Sequence, residues 1–283
     1  MRYFKDDYTI HYTEEGKGPP VILVHGIASS LHGWDSMKLE LLLAGYRVIA
    51  LDLLGHGDSA KPDAVEQYNT HTVYGAFESW LERLRLDQPI VLIGHSLGGH
   101  LSLRFSLRRP QQISALILIA PFYTPRQLTP TVLWLYRRPS LGVKALSRVP
   151  EHIIHTAVGW DPLFGSRIPS KARLQIAADL KRASPHILHI LHSVPDLTPE
   201  LGGVHLPTQV IWGGKDLTLK PSMFPSLVSS LPAAAGHRLS GLGHQPHITQ
   251  PGTVSRLILD FLSGLPLSAR PRRLTGASPQ GTI

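Results

Sequence analysis

One serine of the chain stands in a sequence context that suits nucleophilic catalysis. Ser96 is the centre of a Gly-x-Ser-x-Gly pattern between Gly94 and Gly98, preceded by the aliphatic run 90–93 and followed by a helical pattern. A strand that turns sharply into a helix lifts the serine Oγ to the edge of a sheet. Side chains at the two glycines would collide with the neighbouring strand and helix. The pattern predicts a nucleophilic serine in a strained strand-to-helix turn.

A serine hydroxyl is a weak nucleophile at neutral pH, so a base must accept its proton and an acid must orient that base. The chain supplies both groups after the serine. Asp216 follows the aliphatic run 209–212, and His244 follows a short strand pattern at 238–240. Serine, acid and histidine in this order form one of the known chain orders of such a triad. We predict Ser96 as nucleophile, His244 as general base and Asp216 as the orienting acid.

Two neighbouring acids are interpreted as structural, and one neighbouring histidine is a rival for the role of base. Asp52 and Asp58 precede the serine, and the glycine-rich segment around them indicates a turn held by side-chain to backbone hydrogen bonds. His247 follows His244 by three residues. Because Gly243 directly precedes His244 and suits a tight loop entering a site, we expect His244 to be the base.

Short apolar runs alternate with helical patterns along most of the chain, which predicts a mostly parallel sheet with helices on both faces. Buried strands are expected at 21–24, 47–51, 90–93, 115–119 and 209–212, and covering helices at 74–85, 97–109 and 253–262. Residues 8–13, followed by a Gly-Lys-Gly-Pro turn at 16–19, look like an antiparallel lead-in hairpin. The predicted fold class is α/β.

The strand rhythm stops between 121 and 205, where helical patterns are broken repeatedly by proline. We predict an α/β core over 1–120 and 206–264, an inserted helical cap over 121–205, and a flexible tail over 265–283 that is rich in Pro, Ser, Gly and Arg. Ligand pockets are mostly apolar. The candidates for the substrate pocket are His95 and four aromatic residues of the cap, namely Phe122, Tyr123, Trp134 and Trp160.

Composition excludes several classes of protein. The net charge of the 283 residues is +8, but the basic residues are scattered, so we expect no nucleic-acid partner. No apolar run approaches the roughly 20 residues needed to span a bilayer, and the N-terminus lacks the apolar stretch of a secretory signal. These features predict no membrane association and a cytoplasmic location. The absence of cysteine excludes disulfides and thiolate metal sites, and the oligomeric state cannot be inferred from the sequence.

Three histidines recur at intervals of three residues. On an α-helix His186, His189 and His192 would spread over about 120° of the circumference, and no carboxylate completes a ligand set. The chain has no His-Glu-x-x-His motif. We therefore predict a surface role for these histidines, with no metal and no cofactor.

Several motifs together resemble the α/β-hydrolase fold superfamily. The segment 25–27 resembles its His-Gly oxyanion loop, 52–59 its Asp-x-x-Gly-x-Gly-x-Ser turn, and 243–247 its catalytic-histidine loop. The resemblance implies that the backbone amides of Ile27 and Leu97 form the oxyanion hole. Leu97 also begins the predicted helix, whose positive end stabilises a developing oxyanion.

The resemblance implies a serine hydrolase that cleaves small or medium apolar esters through an acyl-enzyme, with a small-molecule ester as its partner. Ser96 stands where dehalogenases and epoxide hydrolases of this fold carry aspartate, which disfavours both activities. Carbon-carbon bond hydrolases often have asparagine at the position of His95, which weakens that interpretation without excluding it. The same motifs are also compatible with a cofactor-free peroxidase-like enzyme and with a ligand-binding receptor.

Overall fold

The computed structural model describes residues 2–4, 8–138, 148–150, 152–153, 156 and 168–265. Within these residues one sheet has the strand order β1-β2-β4-β3-β5-β6-β7-β8. The strands are β1 (Arg2–Phe4), β2 (Ile10–Glu15), β3 (Pro20–Val24), β4 (Arg47–Leu51), β5 (Ile90–His95), β6 (Ile113–Ile119), β7 (Thr208–Gly213) and β8 (Ala234–Leu239). In this order all neighbouring pairs from β4 to β8 are parallel, whereas the β1–β2 pair and the β2–β4 pair are antiparallel.

The central strands are continuous aliphatic runs because both faces of the sheet are covered. Every residue of β3, β5 and β7 is buried. Successive side chains of a strand point to opposite faces. Accordingly, Ile22 and Val24 of β3 belong to one hydrophobic cluster, and Val21 and Leu23 belong to the other. This two-layered core confirms the predicted fold class.

Helices supply the other side of each cluster. The described helices are α1 (Asp35–Leu43), α2 (Thr70–Arg83), α3 (Leu97–Arg108), α4 (Pro130–Tyr136), α5 (Ser170–Arg182), α6 (Phe224–Ser230), α7 (Pro246–Thr249) and α8 (Pro251–Gly264). α2, α3 and α6 pack their apolar residues on one face of the sheet, with Phe77 and Phe105 in contact at 5.8 Å between ring centroids. α1 and α8 cover the other face through residues such as Met37 and Ile258.

The expected hairpin between residues 8–13 and the following strand is wrong. β2 pairs antiparallel with β1 and β4, and it does not pair with β3. The physical reason is that both edges of β3 are occupied by parallel partners, β4 on one side and β5 on the other. In the sheet, β4 therefore lies between β2 and β3, and the chain crosses the position of β4 on its way from β2 to β3.

Two boundaries also differ from the sequence prediction. α2 begins at Thr70 because the side chain of Asn69 caps it, accepting a hydrogen bond from the Thr72 amide at 2.9 Å. β8 begins at Ala234, four residues before the predicted strand. This strand lies at the edge of the sheet and is only partly buried, so its first residues carry no aliphatic signal.

The connection from β6 to β7 is helical in its described part. It contains α4, α5 and three 3-10 helices, Pro125–Gln127, Pro185–Ser193 and Thr198–Gly203. Two contacts at the C-terminal end of α5 tie this connection to the loops at the sheet edge. Ser30 Oγ donates a hydrogen bond to Asp179 Oδ1 at 2.8 Å, and the Ser184 amide donates to the Gly55 carbonyl at 2.8 Å.

The structure leaves parts of the predicted organisation undescribed. Residues 139–147, 151, 154–155 and 157–167 of the predicted cap, and the predicted tail from residue 266 onward, lie outside the described residues. In the part of the chain that is described, no helix combines the length and the apolar composition needed to cross a membrane.

Candidate active site

The backbone at Ser96 is held in an unfavourable conformation. Ser96 lies between β5 and α3 with φ of +51°, in the region that residues other than glycine rarely adopt. Such a residue costs about 1–3 kcal/mol. Its amide donates to the Ile119 carbonyl at 3.1 Å, and its carbonyl accepts from the Phe122 amide at 3.0 Å. These bonds to the end of β6 fix the strained turn that presents the serine side chain.

Close backbone packing explains the glycines on either side of Ser96. A Cβ on Gly94 would lie 2.5 Å from both Gly98 O and Ser102 Oγ. A Cβ on Gly98 would overlap the Val24 carbonyl oxygen and would lie 2.5 Å from that of His25. Since no side chain fits there, the start of α3 packs directly against the backbone at the end of β3.

His244 is paired with Asp216. His244 Nδ1 donates to Asp216 Oδ2 at 2.8 Å, and both side chains are buried. The other carboxylate oxygen, Oδ1, accepts from the amides of Thr218 at 2.8 Å and Leu219 at 2.9 Å. Because the pairing places the proton on Nδ1, Nε2 of His244 is left as an acceptor. This is the tautomer that a general base for a serine requires.

Two further histidines lie near His244. His95 Nε2 donates to the His244 carbonyl at 3.0 Å, and the ring of His247 lies 4.5 Å from that of His95 and 4.6 Å from that of Trp34. Burial lowers the pKa of His95 well below its usual value, and burial lowers the pKa of His247 to about 3. Both rings are therefore neutral at pH 7. Of these three histidines only His244 is bonded to a carboxylate.

The loop after β3 approaches Ser96 closely. A Cβ on Gly26 would lie 3.0 Å from Ser96 Cβ. His25 holds this loop, because its Nδ1 donates to the Gly26 carbonyl at 2.7 Å and its Nε2 accepts from the Leu53 amide at 2.9 Å. The amides of Ile27 and Leu97 have no hydrogen-bond partner within the described part of the chain. Both N–H groups are thus available to an anionic oxygen.

The Asp52 carboxylate holds the neighbouring turn together. It accepts from the amides of Leu31 at 2.8 Å and Asp58 at 2.9 Å, and from His11 Nδ1 at 2.8 Å. The ligand atoms of His11, Asp52 and Asp58 lie within 4.8 Å of one another, but the Asp58 carboxylate is also paired with Arg182. The cluster is therefore occupied by its own hydrogen bonds and ion pair, as expected for the turn that we predicted around Asp52 and Asp58.

Ser96 and His244 open into one apolar pocket of about 230 Å³. Several of its lining residues were not predicted from the sequence as pocket residues. Its described wall is formed by Ile27, Ala28, His95, Ser96, Phe122, Leu128, Val132, Tyr136, Leu188, Leu191, Thr218, Leu219, His244 and Gln245. No aspartate, glutamate, lysine or arginine is among them. The pocket therefore suits an uncharged apolar group.

The five pocket candidates from the sequence are placed differently. His95 and Phe122 line the pocket. Tyr123 does not, because its ring is buried in the core and its hydroxyl donates to the Met223 carbonyl at 3.1 Å. Trp134 does not either: its side chain is 52% exposed, beneath the guanidinium of Arg138. Trp160 lies outside the described residues.

The geometry of α4 explains why Trp134 points away from the pocket. Side chains four residues apart share one face of an α-helix, whereas two residues correspond to a rotation of about 200°. Val132 and Tyr136 line the pocket. Trp134, midway between them, is therefore on the opposite face of the helix. The sequence signal that could have identified the pocket-facing side of α4 is the spacing of four residues between Val132 and Tyr136.

The segment that carries three of the histidines is a 3-10 helix. His186, His189 and His192 lie on Pro185–Ser193, for which α-helical spacing was expected from the sequence. A 3-10 helix has 3.0 residues per turn, so side chains three apart are eclipsed. The histidines therefore form one row instead of spreading over about 120°.

Comparison with known proteins agrees with this architecture. A family profile for the alpha/beta hydrolase fold matches residues 19–251. The chain is 27% identical over 272 residues to 2-hydroxy-6-oxononadienedioate/2-hydroxy-6-oxononatrienedioate hydrolase 1 of Pseudomonas putida, covering 91% of this chain and 93% of that protein. Among solved structures, an esterase from Exiguobacterium antarcticum aligns with a TM-score of 0.78 at 19% identity, over 91% of this chain and 96% of the esterase.

A bromoperoxidase from Bacillus anthracis aligns with a TM-score of 0.77 at 23% identity, over 90% of this chain and 96% of the bromoperoxidase. At these identities the solved structures are informative about the fold alone. The family profile spans most of the chain, which confirms the resemblance inferred from the sequence motifs. This protein therefore belongs to the alpha/beta hydrolase fold family.

Proposed function

We propose that the chain is a serine carboxylesterase that cleaves esters of small or medium apolar acids. The observation that carries this proposal is that Ser96 and His244 line the same apolar pocket, with Asp216 bonded to the far side of the His244 ring. A nucleophile and a base in the wall of an apolar pocket, with an acid that orients the base, suit acyl transfer.

The reaction follows from these positions in two steps. Ser96 Oγ attacks the ester carbonyl while His244 Nε2 takes the hydroxyl proton and returns it to the leaving alcohol. His244 then activates a water molecule, which hydrolyses the acyl-enzyme and frees the serine. The amides of Ile27 and Leu97 stabilise the oxyanion in both steps. One such donor contributes about 100-fold to 1000-fold in kcat.

The pocket also indicates the size of the substrate. Its volume of about 230 Å³ lies below the roughly 300–1,000 Å³ of drug-sized ligand pockets, which suits a small or medium acyl group. Six of its lining residues come from the connection between β6 and β7, in the range 122–191. We propose that this connection, predicted as a cap over 121–205, selects the substrate while the sheet supplies the reacting groups.

Carbon-carbon bond hydrolysis is the second candidate because the Pseudomonas putida relative covers nearly the whole chain. The substrate in that relative's name is a dioate, which carries two carboxylates. A carboxylate buried without a partner is costly, and the described pocket wall contains neither lysine nor arginine. The wall thus favours an uncharged ester over a dioate.

The proposal is tested by hydrolysis of nitrophenyl esters from acetate to palmitate. We expect the highest kcat/KM for short to medium acids, and a loss of about a millionfold in kcat for Ser96→Ala. Ser106→Ala is the matched control, because Ser106 lies on α3 with its hydroxyl donating to the Leu103 carbonyl at 2.7 Å, outside the pocket wall. This control should keep wild-type activity.

Two outcomes would replace the esterase assignment. If the unmodified protein cleaves a 2-hydroxy-6-oxo dienedioate with a higher kcat/KM than any ester, carbon-carbon hydrolysis becomes the leading function. If the folded protein cleaves no ester and an activated phosphonate ester leaves no adduct on Ser96 by mass spectrometry, Ser96 is not a functional nucleophile. A ligand-binding role would then be the better explanation.

A further inference from the structure

The 3-10 helix Pro185–Ser193 has three chemically different faces. With three residues per turn, each face repeats every third residue. Leu188 and Leu191 line the substrate pocket, and Ile187 and Ile190 are fully buried in the core. The third face carries only the histidine row, which we define as His186, His189 and His192. Runs of 3-10 helix longer than three or four residues are uncommon, so the alignment of this row depends on an unusual element.

The rings of the histidine row are neighbours with unused nitrogens. The ring centroids of His186 and His189 are 6.1 Å apart, and those of His189 and His192 are 6.4 Å apart. No ring nitrogen of the row is hydrogen bonded to a described residue, and Nδ1 of His186 is buried without a partner. Buried polar atoms in proteins are nearly always satisfied. The row therefore has donor atoms that are available for a ligand.

Neighbouring aromatic rings hold both ends of the row. The ring of His192 stacks on that of Tyr136 with centroids 4.4 Å apart and an angle of 9° between the planes. The ring of His186 lies 5.5 Å from that of Tyr68. The stack covers a face of the His192 imidazole and leaves the nitrogens on its edge free of the stack. The ring of His192 is thus oriented before any ligand binds.

The spacing of the row is close to that of two imidazoles that share one metal ion. Zn²⁺ lies about 2.0–2.1 Å from a histidine nitrogen, and hence about 3.2 Å from the ring centroid. Two rings that share an ion therefore have centroids at most about 6.4 Å apart, and this limit is reached only when both nitrogens and the ion lie on one line. Tetrahedral coordination, with an angle of about 109° at the ion, places the two centroids about 5.2 Å apart. Both observed separations exceed this value by about 1 Å, so a side-chain rotation of His189 is needed to bring either pair to binding distance. His189, in the centre, belongs to both pairs.

The donor atoms of the row are all imidazole nitrogens. Imidazole nitrogens favour Zn²⁺, Cu²⁺ and Ni²⁺, whereas Mg²⁺ and Ca²⁺ require oxygen ligands that the row does not offer.

We propose that the histidine row is a surface site for one divalent transition-metal ion of the Zn²⁺, Cu²⁺ or Ni²⁺ type, bound by His189 together with either His192 or His186. Water completes the coordination. The site lies on the outer side of the helix whose neighbouring face lines the pocket. It shares no ligand with the triad and does not depend on the proposed esterase activity.

The test is calorimetric titration of Zn²⁺ into the unmodified protein and into His189→Gln, at neutral pH and in a buffer that does not chelate metal. Loss of a residue that only hydrogen-bonds to a metal ligand typically weakens metal binding by 10-fold to 100-fold. Loss of His189, which is a ligand in either pair, should therefore weaken Zn²⁺ binding by at least about tenfold. His71→Gln is the matched control, since it removes an exposed histidine on α2 and leaves the row intact. The catalytic histidines are present in all these proteins, so their contribution cancels in the comparison.

A second variant and a second measurement keep the result unambiguous. The double variant His186→Gln/His192→Gln retains the central ligand but removes both of its partners, and should lose the same affinity. Electron paramagnetic resonance of bound Cu²⁺ should show two imidazole nitrogens in the unmodified protein and one in the double variant. Unchanged Zn²⁺ affinity in either variant, or a Cu²⁺ spectrum with one nitrogen in the unmodified protein, would overturn the proposal.

Discussion

Replacement of Asp216 by asparagine tests the proposed base most directly, because the surrounding backbone dictates how the new amide must sit. Oδ1 of Asp216 accepts from two backbone amides, the partly buried one of Thr218 and the buried one of Leu219. An asparagine that turned its NH2 group toward them would leave two donors unsatisfied, at about 1–3 kcal/mol each. The introduced side chain is therefore expected to keep its oxygen on these amides and to direct its NH2 group at His244.

This orientation forces the wrong tautomer on the imidazole. Because the NH2 group can only donate, His244 Nδ1 must accept, and its proton moves to Nε2, where it blocks proton transfer from Ser96. The same exchange in another serine hydrolase lowers kcat by about 10⁴, which corresponds to roughly 5.4 kcal/mol in the activation free energy. We expect Asp216→Asn to lose kcat on that scale, with little change in KM.

The assay is steady-state hydrolysis of the best nitrophenyl ester by the variant and by Asp260→Asn, an exposed aspartate on α8 that serves as the control. Nitrogen NMR should place the proton of His244 on Nδ1 in the unmodified protein and on Nε2 in Asp216→Asn. If the folded variant keeps more than about a tenth of the wild-type kcat, a loss well short of the expected 10⁴, Asp216 does not set the tautomer of His244. The reasoning from the two backbone donors would then be refuted.

Two further changes test the structure around the site. Gly98→Ala should lower the free energy of unfolding by about 1–3 kcal/mol, because its Cβ would overlap carbonyl oxygens at the end of β3, whereas Gly75→Ala, in open space on α2, should raise it by about 0.5–1 kcal/mol. Thermal melts check this pair, and a Gly98→Ala protein as stable as the wild type would contradict the close packing. Asp179→Asn should be more stable than the wild type at neutral pH. Burial raises the pKa of Asp179, so the free energy of unfolding of the wild type falls as pH rises from the usual aspartate pKa through the raised one. The amide of asparagine does not ionise, so the variant avoids this loss. Denaturant melts should show the two proteins converging at acidic pH, and an advantage of the wild type at neutral pH would count against this sign.

Most of the sheet was predictable because its strands are buried on both faces. Such strands appear in the sequence as uninterrupted aliphatic runs, and 21–24 or 115–119 differ from the observed strands by only one or two residues. Strand order could not be predicted in this way, because which strands pair depends on all the strands of the sheet. The expected hairpin failed because the sequence of β2 does not reveal that both edges of β3 are already occupied.

Some parts of the proposed site could likewise be predicted from the sequence, and others could not. The contexts of Ser96, Asp216 and His244 are local patterns, each a turn directly after a strand, and the pairing of His244 with Asp216 follows once parallel strands end at one edge. The pocket wall could not be predicted, because residues such as Tyr136 and Leu191 come together only through tertiary packing. A period of three in Pro185–Ser193 was visible in the sequence, but it was interpreted with α-helical geometry.

The contact between Gly98 and the end of β3 has a consequence for how this protein can change. Backbone meets backbone there, so no side chain sets the spacing between the turn that carries Ser96 and the loop that carries Ile27. The pocket wall is built instead from exchangeable side chains, among them Val132 and Leu188. Mutations can therefore remodel what the pocket admits without shifting the reacting groups, which leaves substrate choice free to evolve around a fixed reaction centre.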